Sequence, residues 1–209
     1  MTNAAKKGDV FVVSSPSGAG KSVILGRARA ADPSILFSVS ATTRAPRKGE
    51  VEGREYYFLS REEFMRRVEA GEFLEWAEVH GNLYGTLRSE MDRLAASGQD
   101  AVLEIDVQGA ASLRALGSDM VSVFIMPPSI EELERRLRAR GTDAAEVIAV
   151  RVQNARREMA HYPEYDYVVV NDELDKAVAD FQAIVRARRC RTERFEQRWE
   201  GMDTPMATG

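Results

Sequence analysis

Apolar positions along the chain fall into two alternating kinds of pattern. Val10-Phe11-Val12-Val13, Ala101-Val102-Leu103-Glu104-Ile105-Asp106, Val121–Met126 and Tyr167–Val170 are short β-branched or aromatic runs bounded by Gly, Pro, Asn or Asp, and they read as buried strands. Between them apolar residues recur three and four apart, which predicts helices over 23–30, 87–96, 109–116, 144–161 and 174–188. Ser129, with Glu132 three residues on, opens a further helix that Gly141 stops, and Gly98 closes the one before the second strand. This alternation predicts an α/β core around a parallel sheet.

Residues 40–86 interrupt it. Ile35-Leu36-Phe37-Ser38-Val39-Ser40 reads as one short strand and Tyr56-Tyr57-Phe58-Leu59 as another. Ser60 and Glu63 form a capping box for a helix ended by Gly71. Phe73–Val79, the turn His80-Gly81-Asn82 and Leu83-Tyr84-Gly85 read as a hairpin. The expected organisation is a single unit: a core of 8–39, 87–126 and 162–188, an inserted lobe at 40–86, a helical lid region at 129–161, and a flexible tail from 189 to 209.

Chemistry concentrates first in Ser15-Pro16-Ser17-Gly18-Ala19-Gly20-Lys21-Ser22, between the first strand and the first helix. A Gly-rich turn that restarts as a helix leaves several amide N–H groups facing one concavity, backed by the positive helix end. That is a phosphate cradle, with Lys21 within reach of the outer phosphates of a nucleoside triphosphate and the Ser22 hydroxyl placed for a magnesium ion. Ser15 stands at the first Gly position of G-x-x-x-x-G-K-[ST]. Arg44 and Arg47 sit on an extended loop shaped by Pro46 and Gly49, where they could take a second phosphate or simply face solvent. Asp106, at the end of a core strand, could serve the site or cap the following helix, and Glu104 faces the same way. Arg136 and Arg140 share a helix face in a helix–Gly–helix corner that suits a mobile lid.

Composition narrows the partners. With 29 Lys and Arg against 33 Asp and Glu, the net charge is −4, so phosphate affinity must come from local clusters and not from a nucleic-acid-binding surface. No apolar run approaches the roughly 18 residues needed to cross a bilayer, and the polar N-terminus has no signal-peptide stretch. Cys190 is the one cysteine, which excludes an intrachain disulfide and fits a reducing, cytoplasmic setting.

Five blocks together resemble the guanylate kinase family: S-G-A-G-K-S; F-S-V-S-A-T-T-R-A-P-R with G-E-V-E-G-R-E-Y-Y-F; E-F-L-E-W-A with Y-G-T; I-D-V-Q-G; and V-V-N-D-E-L. The resemblance runs from about residue 8 to residue 188. It implies a three-layer core of the P-loop NTPase type with a five-stranded parallel sheet, a small GMP-binding lobe and a helical lid. The activity implied is transfer of the γ-phosphoryl group of ATP to GMP, and to dGMP, with Mg2+ and no nucleic-acid or membrane partner. The family's GMP-phosphate ligands fall on Arg44, Arg47, Tyr56 and Tyr84, and its guanine-reading positions on Ser40, Glu75, Thr86 and Asp106. Ser15, Pro16, Ser17, Gly18, Ala19, Gly20, Lys21 and Ser22 match its ATP cradle, Asn171 a position near adenine, and Arg136, Arg140 and Arg151 its lid and hinge arginines. Two other readings share parts of this pattern, a ribose-bisphosphate kinase and a non-catalytic protein-binding module.

Overall fold

The computed structural model describes residues 8–79, 81–117, 119–139, 141 and 144–192. Five strands form one all-parallel sheet in the order β2-β7-β1-β8-β9: β1 Val10–Ser14, β2 Ile35–Phe37, β7 Asp100–Glu104, β8 Val121–Met126 and β9 Tyr167–Val170. Alternation along the central strand divides its side chains between two cores. Phe11 and Val13 pack with Ile24, Leu25 and Ala28 of α1 (Lys21–Ala31) and with Ala177, Phe181 and Val185 of α7 (Leu174–Arg189). Val12 faces the other way, onto Leu94 of α3 (Arg88–Ser97) and Ala110 and Leu113 of α4 (Val107–Ala115). Burial on both faces explains why β1, β7 and β8 read as continuous apolar runs, whereas in the edge strand β9 only Val169 is buried.

The lobe is a four-stranded sheet in the order β4-β3-β6-β5, made of β3 Ser40–Thr42, β4 Tyr56–Phe58, β5 Phe73–Val79 and β6 Asn82–Leu87. Its helix α2 (Arg61–Glu69) lays Phe64 on Phe73 with ring centroids 4.3 Å apart. Ser60 caps α2 by accepting from the Glu63 amide at 3.0 Å. The reciprocal half of the expected capping box is diverted, because the Glu63 carboxylate takes Arg66 and Arg67.

Three expectations are corrected. The segment 35–40 is two strands in different sheets: after Ser38 the Val39 amide donates to Glu90 Oε1 of α3 at 2.8 Å, and the chain leaves the large sheet for the small one. The strand expected to end at Asp106 stops at Glu104, and Asp106 becomes the N-cap of α4. Arg189, expected to open a flexible tail, is instead the last residue of α7 and donates to Asp100 Oδ2 at 2.6 Å and Asp32 Oδ2 at 2.7 Å; residues 193–209 of that expected tail lie outside the described residues.

Helices α5 (Ile130–Ala139) and α6 (Ala145–Met159), in the segment expected to form a lid, share a small core of Leu133, Leu137, Ile148 and Ala155. Ser129 caps α5 by accepting from the Glu132 amide at 3.1 Å. Among the described residues no helix is long and apolar enough to cross a membrane.

Candidate active site

A cleft of about 400 Å³ lies between the C-terminal ends of the large sheet and the concave side of the lobe. Open parallel sheets place ligands at that end. One wall is the loop joining β1 to α1, contributing Ser15, Pro16, Ser17, Gly18, Gly20, Lys21 and Ser22. Gly18 and Gly20 hold left-handed φ values of 97° and 94°, which a side chain would oppose. They also leave no room: a Cβ on Gly20 would run into Asn171 Nδ2, and one on Gly18 would lie 3.0 Å from Leu137 of α5. Ala19 is buried behind the loop, and its carbonyl accepts from Asn171 Nδ2 at 2.7 Å.

Lys21 extends into the cleft, with Nζ 3.5 Å from the Val13 carbonyl and 4.0 Å from Glu104 Oε2. Burial pulls the pKa of its ammonium down, while the carboxylates of Glu104, Asp106 and Glu158 counter that by favouring the charged form. A cation kept among acidic groups at the mouth of an amide cradle suits the phosphates of a nucleotide and an accompanying metal ion.

The facing wall comes from the lobe: Ser40 on β3, Tyr56 on β4, Glu75 and Ala77 on β5, and Tyr84 and Gly85 on β6, with Glu104, Ile105 and Asp106 forming the floor. Strand register brings these together, Ser40 opposite Tyr56 and Glu75 opposite Thr86. Glu75 is 6% exposed. Its burial raises its pKa to about 7, with Asp106 adding to the rise and the Thr86 hydroxyl and amide opposing it. Asp106 caps α4, its Oδ1 accepting from the Gly109 amide at 2.8 Å, and it also lines the cleft. The Tyr56 and Tyr84 rings meet edge to face at 6.1 Å, and the Arg44 guanidinium lies 5.3 Å from the Tyr56 ring centroid.

Several predicted residues stand beside the cleft and do not line it. Arg44 sits behind Tyr56, bonded to both carboxylate oxygens of Glu50 at 2.8 and 3.0 Å. Arg47 is exposed on the same loop, its amide donating to Glu50 Oε2 at 2.7 Å. Thr86 is fully buried beside Glu75. Arg136 donates to Glu132 and to the Asn171 carbonyl, and Asn171 is buried under the phosphate loop. Arg151 Nη2 donates to Ser17 Oγ at 2.7 Å. Arg140 lies outside the described residues.

Sequence reasoning missed Glu158 and Glu50. Glu158 on α6 accepts from the Ser17 amide at 3.4 Å and lines the cleft. The signal was its spacing from Arg151: seven residues, two helical turns, bring both side chains to one face. Glu50 orders the arginine loop from within a block already quoted for its resemblance.

The guanylate kinase family model matches residues 7–188. The guanylate kinase of Cereibacter sphaeroides is 52% identical over 192 residues, which cover 91% of this chain and 91% of that one. The guanylate kinase of Paramagnetospirillum magneticum is 50% identical over 195 residues, 93% of this chain and 91% of the relative. A crystal structure of guanylate kinase from Anaplasma phagocytophilum superimposes with a TM-score of 0.72 at 36% identity, covering 96% of this chain and 98% of that one. The phosphate loop, the acid-lined wall facing it and the matched length agree, and the chain belongs to the guanylate kinase family.

Proposed function

We propose that the chain transfers the γ-phosphoryl group of ATP to GMP, and to dGMP, giving ADP and a guanosine diphosphate. The observation that carries this reading is that an amide cradle with Lys21 faces a carboxylate pair, the buried Glu75 and the half-buried Asp106, across a single cleft. Guanine presents N1–H and a 2-amino group, two donors side by side, which match carboxylate acceptors, while its O6 accepts from a hydroxyl such as Ser40 or Thr86. Adenine offers an acceptor where guanine has N1–H, and would leave Glu75 desolvated and unpaired. Such a site rejects the wrong base by roughly 10⁴-fold.

In this reading the loop amides and Lys21 hold the ATP phosphates, and Arg44, Arg47, Tyr56 and Tyr84 hold the GMP phosphate in line with the γ-phosphoryl group. Arg136, Arg140 and Arg151 belong to the lid whose closure excludes water from competing as acceptor. Arg136 is held by Glu132 and the Asn171 carbonyl, so its entry into the cleft requires exchanging those partners. The hard oxygen donors available, the Ser22 hydroxyl with the Glu104 and Asp106 carboxylates, fit Mg2+ delivered on the nucleotide. When bound, the ion offsets charge on the β- and γ-phosphoryl oxygens. This chemistry fits a role in purine nucleotide metabolism, recycling GMP, and a cytoplasmic setting is part of the same reading.

A coupled ADP-release assay with ATP and Mg2+ tests the reading across GMP, dGMP, AMP and UMP. Turnover with the two guanine nucleotides and almost none with AMP or UMP is expected; equal use of AMP, or no ADP formed with GMP, overturns it.

A further inference from the structure

Gly109 stands in the first turn of α4, three residues after the Asp106 cap, and is buried. Its φ is not among the left-handed glycines, so its backbone conformation is open to any residue. Glycine is also the poorest helix former after proline, so helix stability argues for alanine there. Sterics argue the other way. A Cβ at Gly109 would lie 2.5 Å from Glu75 Oε2, 3.2 Å from Glu75 Cδ and 3.3 Å from Asp106 Oδ1. Its amide already serves Asp106 Oδ1 at 2.8 Å. One bare backbone position therefore lies against both carboxylates, at a helix end whose partial positive charge favours them.

We propose that Gly109 is a specificity-positioning residue: the missing side chain forms the seat on which the Glu75 carboxylate rests beside Asp106, fixing the separation of the two acceptors that read a base presenting adjacent donors. The inference rests on the guanine reading given above. Glu75 reaches Gly109 with the far end of a flexible side chain, so an added methyl displaces the carboxylate by about 1 Å without disturbing the fold, and misplacement of that size costs a site up to about a hundredfold.

The test is a cycle of Gly109→Ala, Glu75→Ala and the double variant, read by KM for GMP, KM for ATP and thermal midpoint. Gly109→Ala is expected to keep or raise the midpoint, to raise KM for GMP by about tenfold or more, and to leave KM for ATP within about twofold. In the Glu75→Ala background the same change is expected to move KM for GMP by less than about twofold, because the group it displaces is gone. The proposal is overturned if Gly109→Ala leaves KM for GMP unchanged while Glu75→Ala raises it, or if Gly109→Ala costs the same in both backgrounds. A lowered midpoint with both KM values rising together also overturns it, by marking a general structural role. If Glu75→Ala itself leaves KM for GMP unchanged, the guanine reading fails and takes the seat with it, an outcome distinct from the others.

Discussion

Glu75 carries the sharpest consequences at the scale of one residue. With its pKa raised to about 7, the folded protein holds a proton that the unfolded chain, at the ordinary carboxylate value of 4.5, has released. Its contribution to stability is fully present below pH 4.5 and is lost as pH rises to 7, an effect of roughly 3 kcal/mol. Glu75→Gln, which cannot titrate, should be more stable than the parent at pH 8 and show a flatter stability profile between pH 4.5 and 7, as measured by urea melts. Guanine binding runs the opposite way, because its donors need the carboxylate. Affinity for GMP should strengthen with rising pH and level off above 7, while below 7 it falls by up to about tenfold per unit. Calorimetric titration with GMP from pH 5.5 to 8.5 checks this, and a flat profile contradicts it. Ser15 is a milder case. The left-handed positions of the loop are Gly18 and Gly20, so Ser15→Gly should change KM for ATP by less than about threefold, in steady-state kinetics at saturating GMP.

Among elements, α6 is the one that binds lid to loop. Arg151 holds the Ser17 hydroxyl and Glu158 the Ser17 amide, so this helix grips one loop residue at two points. A carboxylate on a cradle amide stands where a phosphate oxygen would go. Glu158→Gln should lower KM for ATP by about three- to tenfold, through loss of like-charge repulsion, and a raised KM would contradict that role. The passage from β2 to β3 is the other informative element. Glu90, 2% exposed, takes the Val39 amide, the Tyr57 hydroxyl and the Arg93 guanidinium where the chain crosses between sheets. Glu90→Ala strips three donors at once and should cost about 2 kcal/mol or more in chemical denaturation.

These elements also show where the sequence was legible. β8 and β9 match the apolar runs residue for residue: β8 is a largely buried strand that ends at Pro127, while β9 is an edge strand with only Val169 buried, whose β-branched run still ends at Asn171. The handover at Val39 left no trace in the pattern, since a run of alternating residues looks alike whether its amides go to one sheet, to another or to a helix carboxylate. Lys21, Glu75, Tyr84 and Asp106 were readable from short motifs. Glu158 was only half readable: its spacing from Arg151 sets both on one helix face, but its loop partner lies 141 residues away, and only folding places those two together. The resemblance put Asn171 at a position near adenine; that its side-chain amide also holds the Ala19 carbonyl of the loop is a contact that a motif cannot carry.

At the scale of the whole molecule the proposed function puts two anion sites on two sheets, joined by the crossings at Val39 and between Leu87 and Arg88. Each site's donors are engaged by an acidic residue of the chain itself: Glu158 on the loop, and Glu50 on the Arg44 fork and the Arg47 amide. Phosphates arriving at both sites would displace both acids, so binding of the two nucleotides and closure of lobe and lid are expected to proceed together. The most direct measurement is a crystal structure with a non-hydrolysable ATP analogue, Mg2+ and GMP bound at once. The account predicts the guanine edge on Glu75 and Asp106, the β- and γ-phosphates at Lys21 and the loop amides, and the GMP phosphate at Arg44 and Arg47 in line with the γ-phosphoryl group. A guanine ring lying away from Glu75 and Asp106, or two phosphates left too far apart to react after closure, would contradict it.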